Sequence, residues 1–289
     1  MIKLIILFFA IVPLISQTNT DIYLFDLKIS EDEILITNPE NITNRKGYDN
    51  QPFFHSKKPL IYYSSFNDSN KSDIKVYNID TKTTKFITNT KEREYSPTVT
   101  LDNKYISCII QRDNGEQNLG KYPISGGEPI ILIKNLIVGY HTWLNNHQLL
   151  LFVLGEPHKL VLYSLRNNTS EIIAEDIGRS LHKIPNSNNG SFIQKSSDEW
   201  SIKKYDINTN EIQLLCSTLE GREDIAWASE NIILSSDGEG VYYYNIKKKN
   251  GWQKIKLNFN TNFMKGITRI VINSDNSKIA IVVADSESK

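Results

Sequence analysis

A closed ring of six four-stranded antiparallel blades, an all-β six-bladed β-propeller, is predicted by three features of this 289-residue sequence. A short aromatic segment recurs six times, three further strand-like runs stand in fixed order between its copies, and each end of the chain carries half of one repeat. The aromatic segment is a five-residue extended run with an aromatic in fifth place and Ile or Leu two residues later. Its copies are DIYLFDL (21–27), DIKVYNI (73–79), NLGKYPI (118–124), KLVLYSL (159–165), SIKKYDI (201–207) and GVYYYNI (240–246). Their aromatics Phe25, Tyr77, Tyr122, Tyr163, Tyr205 and Tyr244 follow one another at intervals of 52, 45, 41, 42 and 39 residues.

The remaining strands follow in order. Taking the aromatic segment as strand c, a turn rich in Asn, Thr, Lys or Gly leads to an apolar strand d: EILITN, KFITNT, PIILIKN, EIIAED, IQLLCST and QKIKLNF. Strand a comes next, often marked by Pro or Trp: DNQPFFH (49–55), EYSPTVT (94–100), GYHTWL (139–144), GRSLHKI (178–184), REDIAWA (222–228) and ITRIVIN (267–273). A further turn leads to strand b: LIYYSS, YISCII, LLLFVL, SFIQKS, NIILSS and KIAIVVA. Four strands joined by hairpin-type turns make a meander. Both faces of a segment such as DIKVYNI are apolar, as a sheet sandwiched between two neighbours requires. The chain opens on c and d (21–38) and closes on a and b (267–284), so its ends should share one sheet and remove the open edge.

Composition narrows the partners. The 33 basic residues are balanced by 33 acidic ones, which removes a global electrostatic case for nucleic acid or an anionic membrane. Residues 1–16, MIKLIILFFAIVPLIS, are too short to cross a bilayer and match a secretory signal peptide, leaving 17–289 as the propeller. Cys108 and Cys216 sit in strands two blades apart and read as buried free thiols.

The order of a Pro-containing strand, a D-N-type turn, a strand and then DIxxYxI resembles the TolB-type propeller repeat, the PD40 or WD40-like family. The resemblance is carried by Asp49-Asn50-Gln51-Pro52-Phe53-Phe54 with DIKVYNI, and by Tyr95-Ser96-Pro97 with Leu101-Asp102-Asn103-Lys104. It implies an exported protein of secreted bacterial type, periplasmic or secreted, that engages a protein partner in the cell envelope.

In a propeller, strand a lines the central channel, and the loops leading into it crowd one mouth. These loops are expected to bring Tyr48, Asp49, Arg93, Glu94, Tyr95, Tyr140, His141, Arg179, His182, Arg222, Glu223, Asp224 and Arg269 towards the axis. Of these, Tyr95, Tyr140, His141, Arg179, His182, Arg222, Glu223, Asp224 and Arg269 form the candidate partner-binding set, through arginine forks and aromatic contacts. His55, His147 and His158 read as solvated surface. There is no G-x-S-x-G elbow and no phosphate loop. The expected function is an exported non-enzymatic binding module or scaffold that holds a protein or peptide at the channel mouth, without a cofactor. The alternative is a metal-assisted carbohydrate lyase or hydrolase, with His141, His182 and Asp224 around a divalent cation in the channel.

Overall fold

A computed structural model describes residues 19–30, 33–67, 71–195 and 199–284. The proposed signal segment, residues 1–16, lies outside them. Among the described residues there are strands, turns and loops but no helix, and the strands form six four-stranded antiparallel sheets.

The chain enters on β1 (Thr20–Ile29) and β2 (Ile34–Asn41). Blade 1 follows as β3 (Asp49–Phe54), β4 (Leu60–Phe66), β5 (Ser72–Asn78) and β6 (Thr83–Phe86). Blade 2 runs from β7 (Arg93–Val99) through β8 (Tyr105–Gln111) and β9 (Gln117–Pro123) to β10 (Ile130–Ile133). Blade 3 comprises β11 (Val138–Trp143), β12 (Gln148–Val153), β13 (Lys159–Ser164) and β14 (Thr169–Glu175). Blade 4 is β15 (His182–Lys183), β16 (Gly190–Gln194), β17 (Ser201–Asp206) and β18 (Glu211–Ser217). Blade 5 is β19 (Ile225–Ser229), β20 (Ile232–Ser236), β21 (Val241–Asn245) and β22 (Gln253–Lys254). The chain ends on β23 (Arg269–Ile272) and β24 (Lys278–Ala284). Blade 6 has the order β23-β24-β1-β2, with Phe25 opposite Ile279 and Thr20 opposite Ala284. The first and last described strands therefore share a sheet, as the half-repeats at the two ends require.

The core is divided in the same way. Six apolar clusters each span one junction between neighbouring blades. Ile22 and Leu24 of blade 6 meet Ile61 and Tyr77 of blade 1, while Phe25 and Ile279 face Leu234 and Val241 of blade 5. A strand apolar on both faces is thus used on both faces. Five of the six strand-c aromatics are buried.

Three local expectations need correction. The sixth aromatic, Tyr244, is half-buried because the outer strand beside it is only Gln253–Lys254, far shorter than QKIKLNF; its ring packs on Trp252 with centroids 5.6 Å apart. The rest of that run belongs to an irregular segment, 255–268, whose buried Ile255, Met264 and Ile267 fill the junction with blade 6. There Phe263 stacks on Tyr23 at 4.5 Å and Phe259 lies 5.6 Å from Phe25. Likewise, strand a of blade 4 is reduced from GRSLHKI to His182–Lys183. Finally, His55 is buried: its Nδ1 accepts from the Lys57 amide at 3.0 Å and its ring packs near Tyr62, so it is no surface histidine. The turn that folds it inward is invisible to a pattern of strands.

Candidate functional site

Strand a of every blade lines the axis, and four of these strands shift register against strand b, two of them through a left-handed residue. Gln51 and Ser96 take left-handed backbone angles, φ 57° and 53°, and each stands immediately before a proline. Both the handedness and the following ring disfavour that conformation, so each residue is held by its surroundings. The Gln51 side chain does much of the holding. Its Oε1 accepts from Ser64 Oγ at 3.0 Å within its blade and from the Ser96 amide at 2.7 Å in the next.

The inner strands enclose a cavity of about 540 Å³. It runs from the middle of the a strands to the a–b turns, reaching Leu101, Pro185, Asn186, Ser274 and Asn276, and so opens at the a–b mouth. At the opposite, d–a mouth there is a depression of about 140 Å³. The two share Arg179, Asp224, Arg269 and Ile270 as lining residues, so these side chains form the partition between them. The channel is a cup with a charged floor.

That floor is an ion-pair network from blades 4, 5 and 6. Asp224 Oδ2 accepts from Arg179 Nη2 at 2.6 Å, and Oδ1 accepts from Arg269 Nη1 at 2.7 Å. Arg269 Nη2 also donates to the Tyr140 hydroxyl at 3.1 Å, across the channel. Glu223 receives the Arg179 amide at 3.0 Å and Lys195 Nζ at 2.9 Å. Gly178 permits this approach, since a Cβ there would lie 2.7 Å from Glu223 Oε2. Burial alone would raise the Asp224 carboxyl, but the charges of Arg269 and Arg179 hold it below the ordinary carboxylate range. Burial works against the Arg269 cation as well, and Asp224 more than reverses it.

Two histidines stand in the cavity wall, both neutral at pH 7. Burial pushes His141 down to about 3 and His182 to about 4, the second opposed by the nearby charge of Asp224. His182 Nε2 pairs with Ser180 Oγ at 2.9 Å, and that oxygen also accepts from the Ile225 amide at 3.3 Å. His141 Nε2 lies 2.7 Å from Ser107 Oγ. Ser107 Oγ also lies 3.1 Å from the Thr98 carbonyl and accepts from Trp143 Nε1 at 2.8 Å. His141 Nδ1 is buried and has no hydrogen-bond partner.

Of the candidate residues, Tyr140, His141, Arg179, His182, Asp224 and Arg269 line the large cavity, while Arg222 and Glu223 line only the shallow depression. Arg222 is exposed and its guanidinium is tied to the Asp237 carbonyl. Tyr95 is half-buried, packs 5.9 Å from Phe66 and lines neither. Asp49 and Glu94, expected at the mouth, are wholly buried. Asp49 pairs with Arg45 at 2.8 Å, and Glu94 accepts from Thr90 at 2.7 Å and Tyr122 at 2.9 Å. Sequence reasoning passed over Trp143 and Trp227. Their indoles donate to Ser107 and Ser191 at 2.8 Å, each reaching back to the preceding blade. Both the tryptophans and the serines are spaced by 84 residues, two repeats, which was a readable signal.

The proposed metal ligands His141, His182 and Asp224 share the cavity. Among the described residues, however, no three His, Cys, Asp or Glu side chains group as a metal site requires. Each ring's Nε2 is engaged by a serine and both Asp224 oxygens by arginines. The donor set does not fit a cation in this arrangement.

No family profile and no curated protein matches the chain. Solved structures do. A protein provisionally named TolB from Agrobacterium tumefaciens superposes with a TM-score of 0.71 at 9% identity, covering 93% of this chain and 99% of that one. TolB from Acinetobacter baumannii gives 0.60 at 12% identity, over 92% of this chain and 64% of the other. An oligogalacturonate lyase in complex with manganese gives 0.59 at 11% identity, covering 88% and 82%. At such identities what is shared is the architecture: the chain has the fold of a six-bladed propeller, with TolB-like structures among its neighbours.

Proposed function

We propose that this protein is an exported binding module that holds a peptide segment of a partner protein in the central cup. The observation that carries this reading is the pairing of the channel's ionisable groups with one another, above all Arg179–Asp224–Arg269, beneath a wall containing Phe53, Trp143 and Trp227. Such a site offers shape, apolar contact and fixed charge rather than an activated nucleophile. The TolB-like form of the fold agrees with a role in the cell envelope. Residues 1–16 supply the export reading, and among the described residues no helix is long and apolar enough to cross a membrane.

The test is a crosslinked pull-down from envelope extract with the wild type and with Leu101→Trp, which narrows the mouth at a side chain 44% exposed. A partner held by the wild type and lost from an equally stable Leu101→Trp protein is expected. Identical recoveries from the two would overturn the reading. A metal-assisted lyase or hydrolase is the second reading, kept open by the likeness in fold to an oligogalacturonate lyase in complex with manganese. Stoichiometric divalent metal in the purified protein, lost in His182→Gln, would move the assignment there.

A further inference from the structure

The cup has a direction. It opens at the a–b mouth, where Leu101, Asn186 and Asn276 surround the rim, and it is floored by the partition that it shares with the d–a mouth. A polypeptide cannot run through it while that partition is closed; only an end can enter. Between rim and floor the wall is largely apolar, with Phe53, Val99, Trp143, Leu181, Trp227 and Ile272. Its volume of about 540 Å³ lies within the usual range for ligand pockets.

The floor also has a sign. Arg179, Arg269 and Lys195 surround only two carboxylates, Asp224 and Glu223, so one positive charge is in excess. The histidines above it are neutral and add nothing. Arg269 is only 14% exposed, while Arg179 Nε lies 3.4 Å from Glu223 Oε1 on a side chain 33% exposed. A local excess of cation over carboxylate favours an anion, and guanidinium groups match a carboxylate best. Higher in the wall, His141 is 6% exposed and its Nδ1 has no hydrogen-bond partner. An apolar wall above a floor of two arginines and one carboxylate asks for a ligand with an apolar body and a carboxylate.

We propose that the cup receives the C-terminal end of a partner polypeptide, inserted carboxylate first from the a–b mouth. The carboxylate meets Arg179 and Arg269, and the last apolar side chains rest against Trp143 and Trp227. The inference rests on the peptide-binding reading above and adds to it a polarity and an end group.

The probes are fluorescein-labelled tetrapeptides Gly-Ala-Ala-Leu and Gly-Ala-Ala-Phe, each as free acid and as C-terminal amide, followed by fluorescence anisotropy on the full chain. N-acetylleucine serves as a competitor, and melting curves accompany every variant. The free acids should bind roughly tenfold more tightly than the amides, with the difference abolished in Arg179→Gln and binding of both lost in Leu101→Trp. Equal affinity for acid and amide would overturn the carboxylate inference and leave the peptide reading standing. Absence of binding by either form would overturn both. Competition by N-acetylleucine at the concentration effective for the tetrapeptide acid would make the cup a small-carboxylate site and overturn the chain-end assignment.

Discussion

At the scale of single residues, the chain punctuates its turns with regularity. The residue five places after the strand-c aromatic is left-handed in blades 1 to 5: Lys82, Gly127, Asn168, Asn210 and Lys249. Gly and Asn at three of these places are the expected signal, and two lysines are not, so the turn is fixed by the hairpin as much as by the residue. Asn210 is additionally useful, since its Oδ1 accepts from the Tyr205 hydroxyl at 2.8 Å. Burial of titratable groups is the part that the sequence hides, as His55, Glu94 and His141 show. His141 gives a measurable consequence. In the folded protein it takes a proton only near pH 3, whereas its ordinary value is 6.5. Between those values the unfolded chain holds the extra proton, so this group's contribution is intact above pH 6.5 and declines on acidification. The stability of wild type minus that of His141→Gln should fall by about 1.4 kcal/mol for each pH unit below 6.5. Asp49, Asp73 and Glu94, raised by burial, act in the opposite sense, favouring the fold at low pH, but they are common to both proteins and cancel. Parallel pH profiles for the two proteins, measured by denaturant unfolding, would contradict the burial of a neutral imidazole.

At the scale of elements, strands b and c were legible because an apolar run at constant spacing has few alternatives once its turns are marked. Strand d of blade 5 was not. QKIKLNF alternates as an edge strand should, yet Ile255 turns into the core and the run leaves the sheet after Lys254. Beyond it, Phe259 and Phe263 pack on the neighbouring aromatics Phe25 and Tyr23 in place of a longer edge ladder. Links between elements were also partly readable. The indole of Trp227 on strand a of blade 5 donates to Ser191 on strand b of blade 4, and Ser191 is fully buried. A double-mutant cycle with Ser191→Ala and Trp227→Phe should return a coupling of about 1 kcal/mol, the usual net value of a buried hydrogen bond. Strict additivity in urea titrations would mean that the contact contributes shape alone. The site itself was legible in membership more than in form. Six of the nine candidate partner-binding residues line the cup, but its closed floor and its opening on the a–b side depend on side chains pairing across three blades.

At the scale of the whole molecule, stability comes from six junctions in a circle, and each blade depends on two neighbours. Removing residues 20–41 takes β1 and β2 from blade 6 and exposes both flanking junctions. The buried side chains lost include Ile22, Leu24, Phe25, Leu27, Ile34 and Ile36. At about 1.5–3 kcal/mol each, their loss matches or exceeds the whole stability of an ordinary domain. The truncated chain is expected to lose cooperative melting; a sharp transition at the wild-type temperature would sink the closed-ring account.

The loop of residues 255–268 gives this circle one unlike joint. At the five other boundaries sheet presses on sheet, whereas here Phe259, Phe263 and Met264 act as a gasket from outside any ladder. A gasket can lift without breaking a strand, so this joint differs in kind from the others, beside the sheet where the first and last described strands meet. Any breathing that widens the cup should begin there, between the blades that carry Asp224 and Arg269, rather than being shared evenly around the axis.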